Sequence, residues 1–220
     1  MRNDRAVLFD LDGTLVDTER ENVESVVLAA RRWNIELGED MCRFIVGHSW
    51  NEIYARIQGE YGFQPAMAVL IDAAVDEKRV LFAKKGYQPL PGVADLVRWL
   101  SQQVGLAIVS GSSTVEVRET VAGLGLTDCF RYLLGAEAYG RGKPHPEPYQ
   151  TAMRLLGVSP EGSIVIEDAE PGIVAGKAAG ARVIAVRRAN FLGYDQSAAD
   201  VIVDTLAEVS DDLLERLWAR

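Results

Sequence analysis

The sequence predicts an α/β fold: a doubly wound, mostly parallel Rossmann-like sheet with an inserted α-helical domain. Short, continuously apolar runs recur along the chain, helix-like segments separate most of them, and one long stretch after the first run reads as helix alone. Unbroken apolar runs suit strands buried on both faces, which is the environment of a parallel sheet.

The first strand is read at Ala6 to Asp10 (AVLFD). From Thr18 to Lys85 the chain is read as helix throughout, with amphipathic patches such as VESVVLAARRW and NEIYARI. That is far more than a crossover needs, so it is read as a helical domain of residues 16–88 inserted into a core made of 1–15 and 89–220. Asp17 and Thr18 stand at its entrance, where Thr18-Glu19-Arg20-Glu21 has the pattern of a capping box and a hinge is the other reading. Gly86 and the cluster Pro89, Pro91 and Gly92 mark its exit.

Beyond the insert, strands are expected at Leu106 to Ser110, Ser163 to Asp168, Arg182 to Val186 and Asp200 to Val203, with a weaker one at Tyr132 to Leu134. Helices are expected at Gly92 to Gln102, Thr114 to Leu124, Glu147 to Leu156, Pro171 to Ala179 and Leu206 to Trp218. Trp33, Trp99 and Trp218 lie on apolar helix faces and are read as core, as is Trp50.

Composition narrows the function classes. The 220 residues are 48% hydrophobic and 25% charged, as in a globular protein, and 23 Lys and Arg against 32 Asp and Glu give a formal charge of -9. That balance argues against a nucleic-acid partner, and it repels anionic substrates unless a cation reverses the local field. No apolar run reaches membrane-span length, and residues Met1 to Arg5 lack a signal-peptide h-region, so no membrane association and a cytoplasmic location are expected. Cys42 and Cys129 lack metal or disulfide spacing and are read as inert thiols. Monomer and homodimer both remain open.

The chemistry is read from strand ends. Asp10 and Asp12 follow the first apolar strand, at the edge where open α/β sheets place ligands, and alternation aims them to one side. Glu167 and Asp168 end another apolar strand in the same way. If those strands are neighbours, several carboxylates converge and something positive must sit among them, a requirement that a hard divalent ion such as Mg²⁺ satisfies. Ser110, with Gly111 and Ser112 after it, offers hydroxyl and amide donors, and Lys143 offers a point charge. Such parts suit phosphoryl transfer, in which positioning and charge neutralisation dominate. The plain alternatives are that Ser110 caps the helix at Thr114 and that Glu167 and Asp168 cap the helix near Pro171.

Taken in order, the motifs FDLDGTLVDTE at 9–19, VSGSS at 109–113, GKPHPEPY at 142–149 and VIEDAEPGI at 165–173 resemble those of the haloacid dehalogenase superfamily, in the subgroup with a helical cap inserted after the first strand. The resemblance implies a Mg²⁺-dependent phosphatase acting on a small phosphorylated metabolite such as a sugar phosphate or phosphoglycolate. In that reading Asp10 is the nucleophile and Asp12 the general acid and base. Ser110, Gly111 and Lys143 bind the phosphoryl group, and Asp10, Asp12, Glu167 and Asp168 serve the metal. Ser112 and the insert residues Gly47, His48 and Ser49 are candidates for substrate contact. An acid at Asp12 favours phosphate esters over organohalides, because a halide leaves without a proton.

A sugar-phosphate mutase resembling β-phosphoglucomutase shares all four motifs. Its pattern has a histidine where this chain has Asn22 and an arginine where it has Trp50, and both departures weaken that reading. A receiver-type phosphoacceptor domain is shorter, orders its motifs differently and lacks the insert.

Overall fold

The computed structural model describes residues 4–45, 48, 50–190 and 193–219, the side chains at 19, 20 and 189 excepted. The chain divides into two compact units, one of Met1–Asp17 with Tyr87–Arg220 and the other of Thr18–Gly86.

The larger unit is built on six parallel strands: β1 (Ala6–Phe9), β2 (Gly105–Val109), β3 (Tyr132–Leu134), β4 (Ser163–Glu167), β5 (Arg182–Val186) and β6 (Val201–Val203). Their spatial order is β3-β2-β1-β4-β5-β6. β1 is central and pairs with β2 from Ala6 opposite Gly105 and with β4 from Ala6 opposite Ser163. Every residue of β1, β2 and β4 is buried, which is why these runs are apolar without alternation. Alternate side chains feed two cores. Val7, Phe9, Ile108, Ile164 and Ile166 belong to one; Leu8, Ala107, Val109 and Val165 belong to the other.

The order reverses beside β1: the chain leaves β1 for β2 and β3 on one side and crosses back from β3 to β4 on the other. Open α/β sheets place ligands at such a switch point, outside the strands' carboxyl ends, and there Asp10 follows Phe9 while Glu167 follows its register partner Ile166. Around the sheet lie α5 (Val93–Ser101), α6 (Thr114–Gly123), α7 (Glu147–Leu156), α8 (Glu170–Ala178) and α9 (Asp211–Trp218), numbered after the four helices of the smaller unit. The helix expected over Leu206 to Trp218 is broken. A 3-10 turn at Leu206–Glu208 is closed by a capping box on Thr205, and Ser210 starts α9 afresh by accepting from the Leu213 amide.

The smaller unit contains α1 (Glu19–Arg31), α2 (Glu39–Ile45), α3 (Trp50–Tyr61) and α4 (Met67–Lys85) around its own apolar cluster of Val26, Met41, Ile57, Phe63 and Leu70 among others. Trp33 packs edge-on against Phe63 at 5.1 Å, and Trp50 packs partly buried against the same cluster. The capping box at Thr18 does not form: Thr18 is the N-cap of α1 but makes no side-chain capping bond. Asp17 Oδ1 is buried without a hydrogen-bond partner. Among the described residues no helix is long and apolar enough to cross a membrane.

Candidate active site

β1 delivers the first acidic pair. Its ladder continues one residue past the strand, where the Asp10 amide donates to the Ile166 carbonyl at 3.0 Å, so Asp10 is fixed beside the end of β4. The chain then turns sharply. Gly13 has φ of +84°, and a Cβ there would meet Asp168 Oδ2 at 2.6 Å, so glycine is required both by the backbone and by the approach of the second acidic pair. Thr14, fully buried, donates its hydroxyl to Asp168 Oδ1 at 2.9 Å.

Asp10, Glu167 and Asp168 are all buried, and one oxygen of each lies within 4.8 Å of the others. The Lys143 ammonium sits among them. It donates to Asp10 Oδ1 at 2.5 Å, to Glu167 Oε1 at 2.6 Å and to the Val109 carbonyl at 3.0 Å, which occupies all three of its protons. Burial pushes the Asp10 carboxyl well above the usual carboxylate range; Lys143 pulls it down, while Glu167, Asp168 and Asp12 push it further up. Burial lowers the Lys143 ammonium, but Asp10 and Glu167 override that effect and hold it well above an ordinary lysine.

Glu167 is committed on both oxygens. Oε1 also accepts from the buried Tyr149 hydroxyl at 2.8 Å, and Oε2 accepts the amides of Asp168 at 3.1 Å and Ala169 at 3.2 Å. Its carboxylate occupies the space that a Cβ on Gly172 would fill. The Tyr149 ring also lies under Lys143, 5.0 Å from Nζ. Tyr149 stays a protonated donor, since burial and the neighbouring Glu167 charge raise its pKa well above that of a free phenol.

Asp12 is held by hydroxyls. Ser112 donates to Asp12 Oδ2 at 2.7 Å and Ser110 donates to the same oxygen at 3.1 Å. Ser110, expected on phosphoryl oxygens, therefore directs its one hydroxyl proton to Asp12 in this structure. It does not cap α6: Ser113 does, in a reciprocal capping box with Glu116. Nor do Glu167 and Asp168 cap α8, whose N-cap is Ala169 without a side-chain bond. Gly111 lies between the two serines with open space where a Cβ would stand.

These observations bring Asp10, Asp12, Ser110, Ser112, Lys143, Glu167 and Asp168 to one rim. His48 lies in the smaller unit, exposed and stacked on Phe44 at 3.7 Å; Gly47 and Ser49 lie outside the described residues. His145 is a loop residue whose Nδ1 accepts from the Glu147 amide at 3.2 Å. Four supporting residues were not singled out from the sequence. Thr14 and Tyr149 stand inside two of the motifs and were there to be found. Tyr139, which donates to the Ser110 carbonyl at 2.6 Å, and Gln196, which donates to the Asp168 carbonyl at 2.7 Å and the Val186 carbonyl at 3.1 Å, carry no sequence signal.

The donor set fits a hard divalent cation. It consists of buried carboxylate oxygens from Asp10, Glu167 and Asp168, of which Asp10 and Glu167 pair with Lys143. Asp10 and Asp168 are the carboxylates best placed to ligate it, since Glu167 already receives two donors on each oxygen.

Residues 7–186 match the family model described as haloacid dehalogenase-like hydrolase. The chain is 31% identical over 218 residues to the validoxylamine A 7'-phosphate phosphatase of Streptomyces hygroscopicus subsp. limoneus, covering 93% of this chain and 95% of that one. It is 27% identical over 223 residues to the β-phosphoglucomutase of Bacillus subtilis, covering 97% and 95%. It also matches the bifunctional riboflavin kinase/FMN phosphatase of Arabidopsis thaliana, at 29% identity over 92% of this chain, and spans 54% of that protein's length. Among solved structures, CbbY of Rhodobacter sphaeroides in complex with phosphate superposes with a TM-score of 0.84 at 25% identity, covering 96% of this chain and 99% of that one.

Proposed function

Since this chain belongs to the haloacid dehalogenase-like hydrolase family, we propose that it is a Mg²⁺-dependent phosphatase of small phosphorylated metabolites that works through a phosphoryl ester on Asp10. The observation that carries the reading is the buried meeting of Asp10, Glu167 and Asp168, with the Lys143 ammonium bonded to the first two. Carboxylates crowded in this way cost several kcal/mol unless the site is built to receive cationic and phosphoryl partners together.

In this reading Asp10 attacks phosphorus in line and forms the new P–O bond, while the ester P–O bond breaks with its electron pair on the leaving oxygen. Asp12 gives that oxygen its proton, then takes a proton from the water that attacks the aspartyl-phosphate. Lys143 holds Asp10 and opposes the rise that burial and the neighbouring carboxylates impose on its pKa, which favours the ionised nucleophile. Glu167 fixes Lys143 from behind. Asp168, oriented by Thr14 and Gln196, joins Asp10 in holding the cation, which when bound neutralises charge on the phosphoryl oxygens. Choice among small esters is assigned to the helical unit Thr18–Gly86, His48 among its residues. Sugar phosphates and phosphoglycolate are the favoured classes, consistent with relatives named hexitol phosphatase A and phosphoglycolate phosphatase.

The test is phosphate release from a panel of small esters with and without Mg²⁺, with Asp10→Asn as control. The variant is expected to lose at least about a thousandfold in kcat, because the nucleophile is gone; retained turnover would refute the assignment. The relative named β-phosphoglucomutase makes a mutase the second reading. Incubation with a sugar 1-phosphate separates the two: free phosphate supports the hydrolase, and accumulation of the 6-phosphate supports the mutase.

A further inference from the structure

Ser112 has no part in the mechanism as stated above, yet it closes a ring on the proton-handling group. Its hydroxyl donates to Asp12 Oδ2 at 2.7 Å; its amide donates to Ser110 Oγ at 3.0 Å; and Ser110 Oγ donates to the same Asp12 Oδ2 at 3.1 Å. The loop that carries it is braced, since the Ser112 carbonyl accepts from the Ala136 amide at 2.8 Å and the Tyr139 hydroxyl donates to the Ser110 carbonyl at 2.6 Å. A carboxyl held by two hydroxyls on one oxygen cannot rotate about χ2 without breaking both.

Resting on the phosphatase reading, we propose that Ser112 is a positioning residue that locks the Asp12 carboxyl through Oδ2, so that Oδ1 serves as the proton-carrying oxygen. An oxygen that accepts two O–H bonds has no room for a third hydrogen in the carboxyl plane. When the ester P–O bond breaks, the proton on Oδ1 passes to the leaving oxygen, an alcohol departs, and Asp12 is left as a carboxylate that still accepts from both serines. Ser112 is in this account an orienter of the acid and not a contact to substrate.

The consequence depends on the leaving group. An alkoxide needs its proton in the transition state, whereas p-nitrophenolate departs without one. The experiment compares kcat/KM, which reports steps through release of the leaving group, for p-nitrophenyl phosphate and for the best alkyl ester of the panel. Ser112→Ala is expected to lose roughly ten- to a hundredfold on the alkyl ester and less than about threefold on p-nitrophenyl phosphate. Ser112→Thr, which keeps the hydroxyl, is expected to stay within about threefold of wild type on both, and it carries the test if the alanine variant folds poorly. Equal losses on the two esters, or a loss confined to KM, would overturn the proposal. Asp10→Asn keeps the two questions separate: if it stays active the phosphatase reading falls, and if it is dead while Ser112→Ala loses uniformly only the role of Ser112 falls.

Discussion

Replacing Lys143 with Met removes the ammonium that bonds Asp10 and Glu167 while keeping the length and most of the volume of the side chain. At separations of 2.5 and 2.6 Å from Asp10 and Glu167, and an effective dielectric of about 20, each pair is worth roughly 6 kcal/mol of Coulomb energy. Desolvation of the buried ions offsets most of that. Deleting one partner of a buried pair typically costs about 3–5 kcal/mol, because the abandoned charge stays buried. For a chain of 220 residues, at about 2–4 °C per kcal/mol, the metal-free variant is expected to melt roughly 6–20 °C below wild type at pH 7.5. The pH dependence follows from the shifts. The Lys143 pKa is raised in the folded state, so its stabilisation is fully present below the ordinary lysine value and is lost as the pH rises through the folded one. At the acid end the deficit of the variant shrinks as Asp10, itself raised, takes up a proton. Calorimetry in EDTA from pH 5 to 11 reads both limits. A variant that melts within about 2 °C of wild type at pH 7.5, or a deficit that persists unchanged at pH 5, would refute the account.

Two further outcomes are expected. Gly172→Ala should destabilise by about 1–3 kcal/mol and cut kcat, although alanine is the better helix former, because its Cβ would enter the space of the Glu167 carboxylate and displace the anchor of Lys143; melting and turnover check the sign. Asp10→Asn, expected to be inactive, should melt higher than wild type in EDTA at neutral pH. The Asp10 pKa is raised in the folded state, so its ionisation destabilises the wild-type fold as the pH rises through the unfolded and then the folded value. The gap should close toward pH 4, and a variant less stable at pH 7.5 would contradict the sign.

The strands were legible because burial on both faces leaves a mark in composition: AVLF, GLAIV and the IVI of SIVIE show no alternation of apolar with polar residues. The acidic pairs were legible because each stands where such a run stops. Interruptions inside apparent helices were harder to read. The run from Leu206 to Trp218 looks continuous, yet Thr205 and Ser210 each cap a separate turn, and local side-chain bonds there outcompete helix propagation. The cap of α6 is Ser113 and not Ser110, because a cap stands directly before the first turn, where Glu116 returns the bond.

Residue order alone carries the alternation of strand and helix, the position of Asp10, Asp12, Glu167 and Asp168 at strand ends, and the need for positive charge among them. Which groups bond to one another is settled by the packing of the folded chain: Lys143 with Asp10 and Glu167, Ser110 and Ser112 with Asp12, Thr14 and Gln196 with Asp168. Those partners lie far apart along the chain, and a hydrogen bond is made or lost within a few tenths of an ångström. Strand order and register bring β1 beside β2 and β4 at that precision, whereas periodicity tells which face a residue takes and not which neighbour it meets there.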